Sequence, residues 1–296
     1  MLILILYIIV LLSVAFFTLF ERKILGFVQI RKGPDKVFFK GILQPVLDGL
    51  KLFLKENSVG FNIMKLVFMS FPFFSLFIML MIWQSFVYQS YEFLFNSFMF
   101  FILFSTMSVY GVIGSGWVSN SKYAMLGSYR GVAQLISYEV CFIFLILSFC
   151  FFVKNYSYNF YLNKMVFSHI LFYGFSFLFI VWFVVILAEL NRSPFDFAES
   201  ESELVSGFNV EYGGLKFAFL FLSEYGSMIY LSYLTMVLFI SSFFLSCVGV
   251  MFMMVWVRGV LPRYRYDNLM YLNWKFFLPF VLFFLLYMYL FMVFTL

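Results

Sequence analysis

Two carboxylates stand inside long apolar runs, where inserting a charge costs at least ~2.5 kcal/mol, so each marks a candidate site by default. They are Glu139, in the run 132–153, and Glu224, in the run 215–235. Glu139 follows Arg130 by nine residues and Glu224 follows Lys216 by eight. At about 1.5 Å per residue, both sit roughly 12 to 14 Å in from the basic end of their runs. Two acids that meet at one depth in a low dielectric cannot both ionise readily, and such a pair takes up and releases protons. The alternative is that each acid hydrogen-bonds a neighbouring helix through Gln134, Ser137, Tyr138 or Ser223.

The densest acidic stretch, AELNRSPFDFAESESELVSGFNVEY, holds Glu189, Asp196, Glu199, Glu201, Glu203 and Glu211 against the single base Arg192. Acidic runs are usually solvated loops. Here the acids alternate with Leu190, Phe195, Phe197, Leu204, Val205 and Phe208, which suits a partly buried segment whose acids need partners or protons. Pro194 fits a turn or a first helical turn, and Ser200 with Glu203 has the spacing of a capping box. Cys141, Cys150 and Cys247 lie singly in apolar runs without the close spacing of a zinc or iron–sulfur site, so no metal is expected. His169, the only histidine, has no acidic or second histidine neighbour at ligand spacing and is read as an ordinary interfacial side chain. Gly111, Gly114 and Gly116 are read as close helix packing.

The elements that must position these groups follow from composition. With 65% apolar and only 11% charged residues, the chain lacks the roughly 25% charge that a water-facing surface requires. The expectation is an all-α polytopic membrane protein, a single membrane domain over 1–296 with about eight transmembrane helices and a surface amphipathic helix. Spans are placed at about 1–20, 63–88, 97–118, 132–153, 167–190, 215–235, 237–257 and 276–296, with an acidic loop at about 189–214. Each is long enough for a core of ~30 Å. The first run has neither a basic start nor a cleavage pattern and is read as a retained span, and no arginine-rich transit peptide is seen. Residues 41–56 set Ile42, Leu43, Val46, Leu47, Leu50 and Leu54 on one face and Asp48, Lys51 and Lys55 on the other, as a helix lying flat on the membrane does. Seventeen of the nineteen Lys and Arg fall on one side of this arrangement, leaving Lys154 and Lys164 opposite. That side is therefore the cytoplasm or the mitochondrial matrix, and the +5 net charge needs no nucleic acid to explain it.

Four strings, FERKILGFVQIRKGP, SNSKYAMLGSYRGVAQLISYEV, AELNRSPFDFAESESELVSGFNVEY and LPRYRYDNLM, resemble in order and spacing the complex I subunit 1 family of the proton-pumping NADH:ubiquinone oxidoreductase. More distantly they resemble the equivalent subunit of membrane-bound hydrogenases. The resemblance spans essentially the whole chain. It implies a multi-pass protein of the mitochondrial inner membrane with its basic loops facing the matrix. It implies ubiquinone as substrate, with no FMN, iron–sulfur cluster or metal bound by this chain. The implied partners are hydrophilic quinone-site subunits, small membrane-arm subunits and membrane lipid, without nucleic acid. By matching strings, Glu21, Arg22, Arg31, Asp48 and Phe221 would line a quinone chamber walled by the first span, the surface helix and the sixth span, with Arg263 at its acidic inner end. Glu139, Glu189 and Glu224 would form an acidic path toward pumping subunits, with Asp196, Glu199, Glu201, Glu203 and Glu211 on the quinone-proximal loop. Residues 35–39, DKVFF, depart from the polar Gly/Pro-containing stretch usual at that place. A proton-coupled transporter is the rival reading, but such carriers show internal repeats with broken helices and none is evident here. A passive scaffold for the hydrophilic arm is another.

Overall fold

The computed structural model describes residues 2–37, 39–56, 64–87, 96–153, 156–158, 176–197, 207–240 and 244–294. Glu199, Glu201, Glu203, His169 and the Ser200–Glu203 capping pair fall outside them. The described residues are helices and their connections, so the chain is all-α. Among the described residues, six helices are long and apolar enough to cross a membrane: Ile3–Val28, Lys65–Ser85, Ser97–Val118, Lys122–Phe151, Leu215–Phe239 and Tyr266–Leu290. Two shorter apolar helices, Phe177–Glu189 and Ser246–Val260, stand where the fifth and seventh spans are expected, and residues just before each lie outside the description.

Helix α1, Leu2–Val28, runs a full two turns past its apolar stretch because Glu21 and Ile24 bury that continuation. It stops where Ile30 turns left-handed and the Arg31 amide donates to the Gly26 carbonyl at 2.8 Å. A side chain at Gly26 would meet the Gly33 backbone at 3.0 Å, so the returning chain needs a glycine there. The surface helix α2, Gln44–Leu54, begins with Pro45 in its first turn and packs against α1 and against α7, Leu215–Thr235.

The two helices α3, Lys65–Val87, and α4, Ser97–Val118, lie closely side by side. The reason is their small residues: a methyl group on Gly114 would fall inside the Phe71 ring, and one on Gly111 would meet Ser75 Cβ at 3.3 Å. Helix α5, Lys122–Val153, is the 32-residue axis of the molecule and packs on α4, on α6, Ser176–Glu189, and on α10, Leu278–Phe294. Its aromatic side chains build the core. Phe142 stacks on Trp182 at 5.0 Å, and Phe149 meets Phe239 edge-on at 5.1 Å, all four buried.

Polar pins fix the helix registers. The Tyr138 hydroxyl donates to the Leu269 carbonyl in α9, Tyr266–Leu272, and Asn273 Nδ2 donates to the Ser137 carbonyl at 2.6 Å. The Tyr230 hydroxyl pairs with Ser85 Oγ at 2.9 Å and with the Tyr158 hydroxyl at 2.7 Å. At the start of α7, the buried Lys216 holds its ammonium 4.2 Å over the Phe68 ring, and Phe68 stacks on Tyr212 at 4.3 Å. Tyr212 in turn donates to the Ser115 carbonyl at 3.1 Å, and burial pushes its hydroxyl well above the usual tyrosine range, so it stays a donor. The end of the acidic loop is thereby fastened to α3 and α4.

Candidate functional site

Glu21 is the first polar side chain after the apolar stretch of α1, and it is buried. A buried carboxylate needs partners, and two converge on it. Arg258, in the last turn of α8, Phe244–Val260, pairs with Oε1, and the Tyr225 hydroxyl of α7 donates to Oε2 at 2.5 Å. The Tyr225 ring carries a second arginine on its face, with the Arg192 guanidinium carbon 4.6 Å from the centroid. Arg192 Nη2 then donates to Glu224 Oε2 at 3.0 Å. Four charged groups from α1, α7, α8 and the turn after α6 are thus joined through one tyrosine.

Of the candidate chamber residues, Glu21 and Phe221 lie at this centre. Phe221 lies one turn before Tyr225 on α7, with ring centroids 5.9 Å apart. Arg22 of α1 donates to Asp48 Oδ2 at 2.5 Å, and Gln44 donates to Asp48 Oδ1 at 3.0 Å, which ties the polar face of α2 to α1. The apolar side chains Val46, Leu47, Leu50 and Phe53 of α2 remain exposed. Arg31 stands exposed on the turn beyond α1, away from these contacts. Arg263 reaches Asp196, donating at 3.0 Å, so a chamber candidate and a loop candidate meet. Ring contacts of Phe195 with Tyr264 and of Phe197 with Tyr266, at 5.5 and 5.8 Å, close the same seam.

On the other side of α7, Glu189 and Glu224 border a largely apolar hollow. A cavity of about 130 Å³ is bounded by Glu189, Asn191, Ser105, Ser223 and Glu224, with Leu135 and Tyr230 among its apolar walls. Glu189 Oε2 and Asn191 Oδ1 are buried without a protein hydrogen bond. That volume is enough for a few water molecules at ~30 Å³ each, and two unpartnered acceptors give them anchors. Glu139 on α5 lies near enough to Glu189, the last residue of α6 and a wall of the cavity, for its charge to bear on that carboxyl. Buried Glu139 Oε1 is likewise unpartnered.

Gln134 of α5 ties the end of α6 to the chain beyond it, adding a donor to the Ala188 carbonyl that the Asn191 amide also reaches at 3.2 Å. Its Nε2 donates to the Ala188 and Phe195 carbonyls, both at 2.8 Å, and so holds the irregular chain at that depth. Among sequence-derived candidates, the fold brings Glu21 toward Glu224, Glu189 toward both Glu139 and Glu224, Arg22 to Asp48 and Arg263 to Asp196. Glu211 is half-buried in the short 3₁₀ helix Gly207–Glu211. Residues that sequence reasoning did not single out for the site are Arg192, Arg258, Tyr225 and Asn191. Among the described residues there is no group of three His, Cys, Asp or Glu side chains that could hold a metal ion.

A family model described as NADH dehydrogenase matches residues 1–289. The chain belongs to this family, that of complex I subunit 1. Among its family relatives, "NADH-ubiquinone oxidoreductase chain 1" of Artemia franciscana is 50% identical over 277 residues, covering 93% of each chain. The proteins of the same name from Aedes aegypti and Locusta migratoria are 49% and 46% identical, covering 93% and 95% of this chain and 90% and 92% of their own lengths. The buried acids and arginines described above therefore sit in a complex I subunit 1 framework matched over nearly its full length.

Proposed function

We propose that this chain is a core membrane subunit of the proton-pumping NADH:ubiquinone oxidoreductase of the mitochondrial inner membrane, with basic loops toward the matrix. It carries no redox centre itself. Helices α1, α2 and α7 wall part of a chamber for ubiquinone, reached by Glu21, Arg22, Arg31, Asp48 and Phe221, with Arg263 near its inner end. Hydrophilic subunits complete the chamber, and small membrane-arm subunits and lipid cover the exposed apolar flanks.

The observation that carries this reading is the unbroken run of contacts from Glu21 through Tyr225 and Arg192 to Glu224, which borders a cavity that Glu189 also lines. Quinone reduction draws protons from the chamber and changes the charge of the loop that holds Asp196, Glu199, Glu201, Glu203 and Glu211. The change passes to Glu224, Glu189 and Glu139 by charge and position, and so biases pumping in neighbouring subunits. Replacing Glu139 or Glu224 by Gln keeps the size of the side chain and removes its ability to hold a negative charge. Each change is expected to lower quinone reductase turnover and proton pumping together, by about tenfold or more, in a complex that still assembles. Full turnover and pumping in both variants would overturn the proposal.

A further inference from the structure

Tyr225 touches both ion pairs at once. Its hydroxyl donates to Glu21, which Arg258 also holds, while its ring supports the guanidinium that Arg192 extends to Glu224. Glu224 and Tyr225 are consecutive on α7 and so point about 100° apart around the helix. Glu224 faces the cavity shared with Glu189, whereas Glu21, Arg192 and Arg258 line a separate small cleft. Leu190 borders both spaces.

We propose that Tyr225 is the positioning residue that ties the charge state of Glu21, on the chamber side, to the Arg192–Glu224 pair on the cavity side. The inference rests on the function proposed above and adds the residue that joins its two halves. No proton needs to cross the partition for the tie to work.

The physics is local. An ionised Glu21 accepts a short, charge-assisted hydrogen bond from Tyr225, and that bond fixes the ring beneath Arg192. A proton on Glu21 removes the charge from this bond and from the pair with Arg258, and the ring is released. A guanidinium over an aromatic face is held by direction as well as distance, so a moved ring resets where Arg192 presents itself to Glu224. The charged groups that bear on Tyr225 are Arg192 from the turn after α6, Glu21 from α1 and Arg258 from α8. Tyr225→Phe cuts the hydroxyl link and keeps the aromatic face. Arg192→Lys keeps a charge for Glu224 and removes the planar stack.

The test uses the assembled complex in sealed vesicles and reads turnover and protons moved per quinone reduced. Glu21→Gln, Glu224→Gln and their combination are compared in three backgrounds: otherwise unchanged, Tyr225→Phe and Arg192→Lys. With Tyr225 and Arg192 in place, the combined loss is expected to depart from the product of the single losses by about threefold or more, as contacting residues do. In either substituted background it is expected to match that product within roughly 1.5-fold. A merely structural role would weaken every variant alike and leave the departure unchanged. An undiminished departure in either substituted background overturns the proposal. So does a simple product in the unchanged background, although single losses there leave the acidic-path reading standing. If neither Glu21→Gln nor Glu224→Gln alters turnover or pumping, the acidic path itself falls and the proposed tie falls with it.

Discussion

Among the described residues, taking Arg258 away leaves the carboxylate of Glu21 buried with only the Tyr225 hydroxyl to answer it. Arg258→Met is therefore expected to destabilise the subunit by about 2 kcal/mol, below the ~3–5 kcal/mol of a fully buried pair because the arginine reaches the surface. Adding Glu21→Gln should return most of that loss, and thermal unfolding of the detergent-solubilised complex measures both. Gln134→Leu is expected to cost about 1–3 kcal/mol in the same assay, since the Ala188 and Phe195 carbonyls lose their common donor. Sequence made some of these residues visible and hid others. Intramembrane acids announce themselves by their cost, so Glu139 and Glu224 stood out. Arg192 and Arg258 read only as loop charges that set topology, and Tyr225 is one of 20 tyrosines. Counting residues along a helix gives depth but not the direction in which a side chain points. For that reason the place of Glu189 between Glu139 and the cavity required the fold.

At the level of helices, small residues decide which pairs come close. Gly114→Ala places a methyl group in the space of the Phe71 ring and is expected to destabilise by about 1–3 kcal/mol, with Phe71→Leu relieving most of it. Gly249→Ala, where nothing lies within 4 Å, serves as the control and should be neutral or slightly stabilising. The all-α membrane character was legible from apolar run lengths alone, because a bilayer leaves the backbone few other choices. What those runs did not reveal was overhang. Helix α5 begins at Lys122, ten residues before its apolar run at 132, and α1 continues to Val28 past its run ending at 20. The extension of α1 supplies Glu21, so that member of the site lies where the hydropathy signal fades. The surface helix was legible as amphipathic, but the tie from Asp48 back to Arg22 depends on how α2 rests on α1.

Across the whole molecule, exposed apolar side chains such as Leu4, Leu103 and Phe283 form flanks that only lipid or partner subunits can cover. All three cysteines are buried, so a thiol introduced on a loop can be labelled with little background. With Lys36→Cys and Arg265→Cys, both positions exposed, a membrane-impermeant maleimide is expected to react from the matrix side in inverted vesicles and not in right-side-out ones. Labelling of the two positions from opposite sides would refute the assigned topology. The group joined through Tyr225 has one more property at this scale. Two carboxylates and two guanidiniums cancel, so the resting cluster adds no net charge to the interior and needs no counter-ion from outside. A single extra proton ends that balance, and the membrane voltage then acts on the cluster, at ~2.3 kcal/mol per charge for a full crossing of 100 mV.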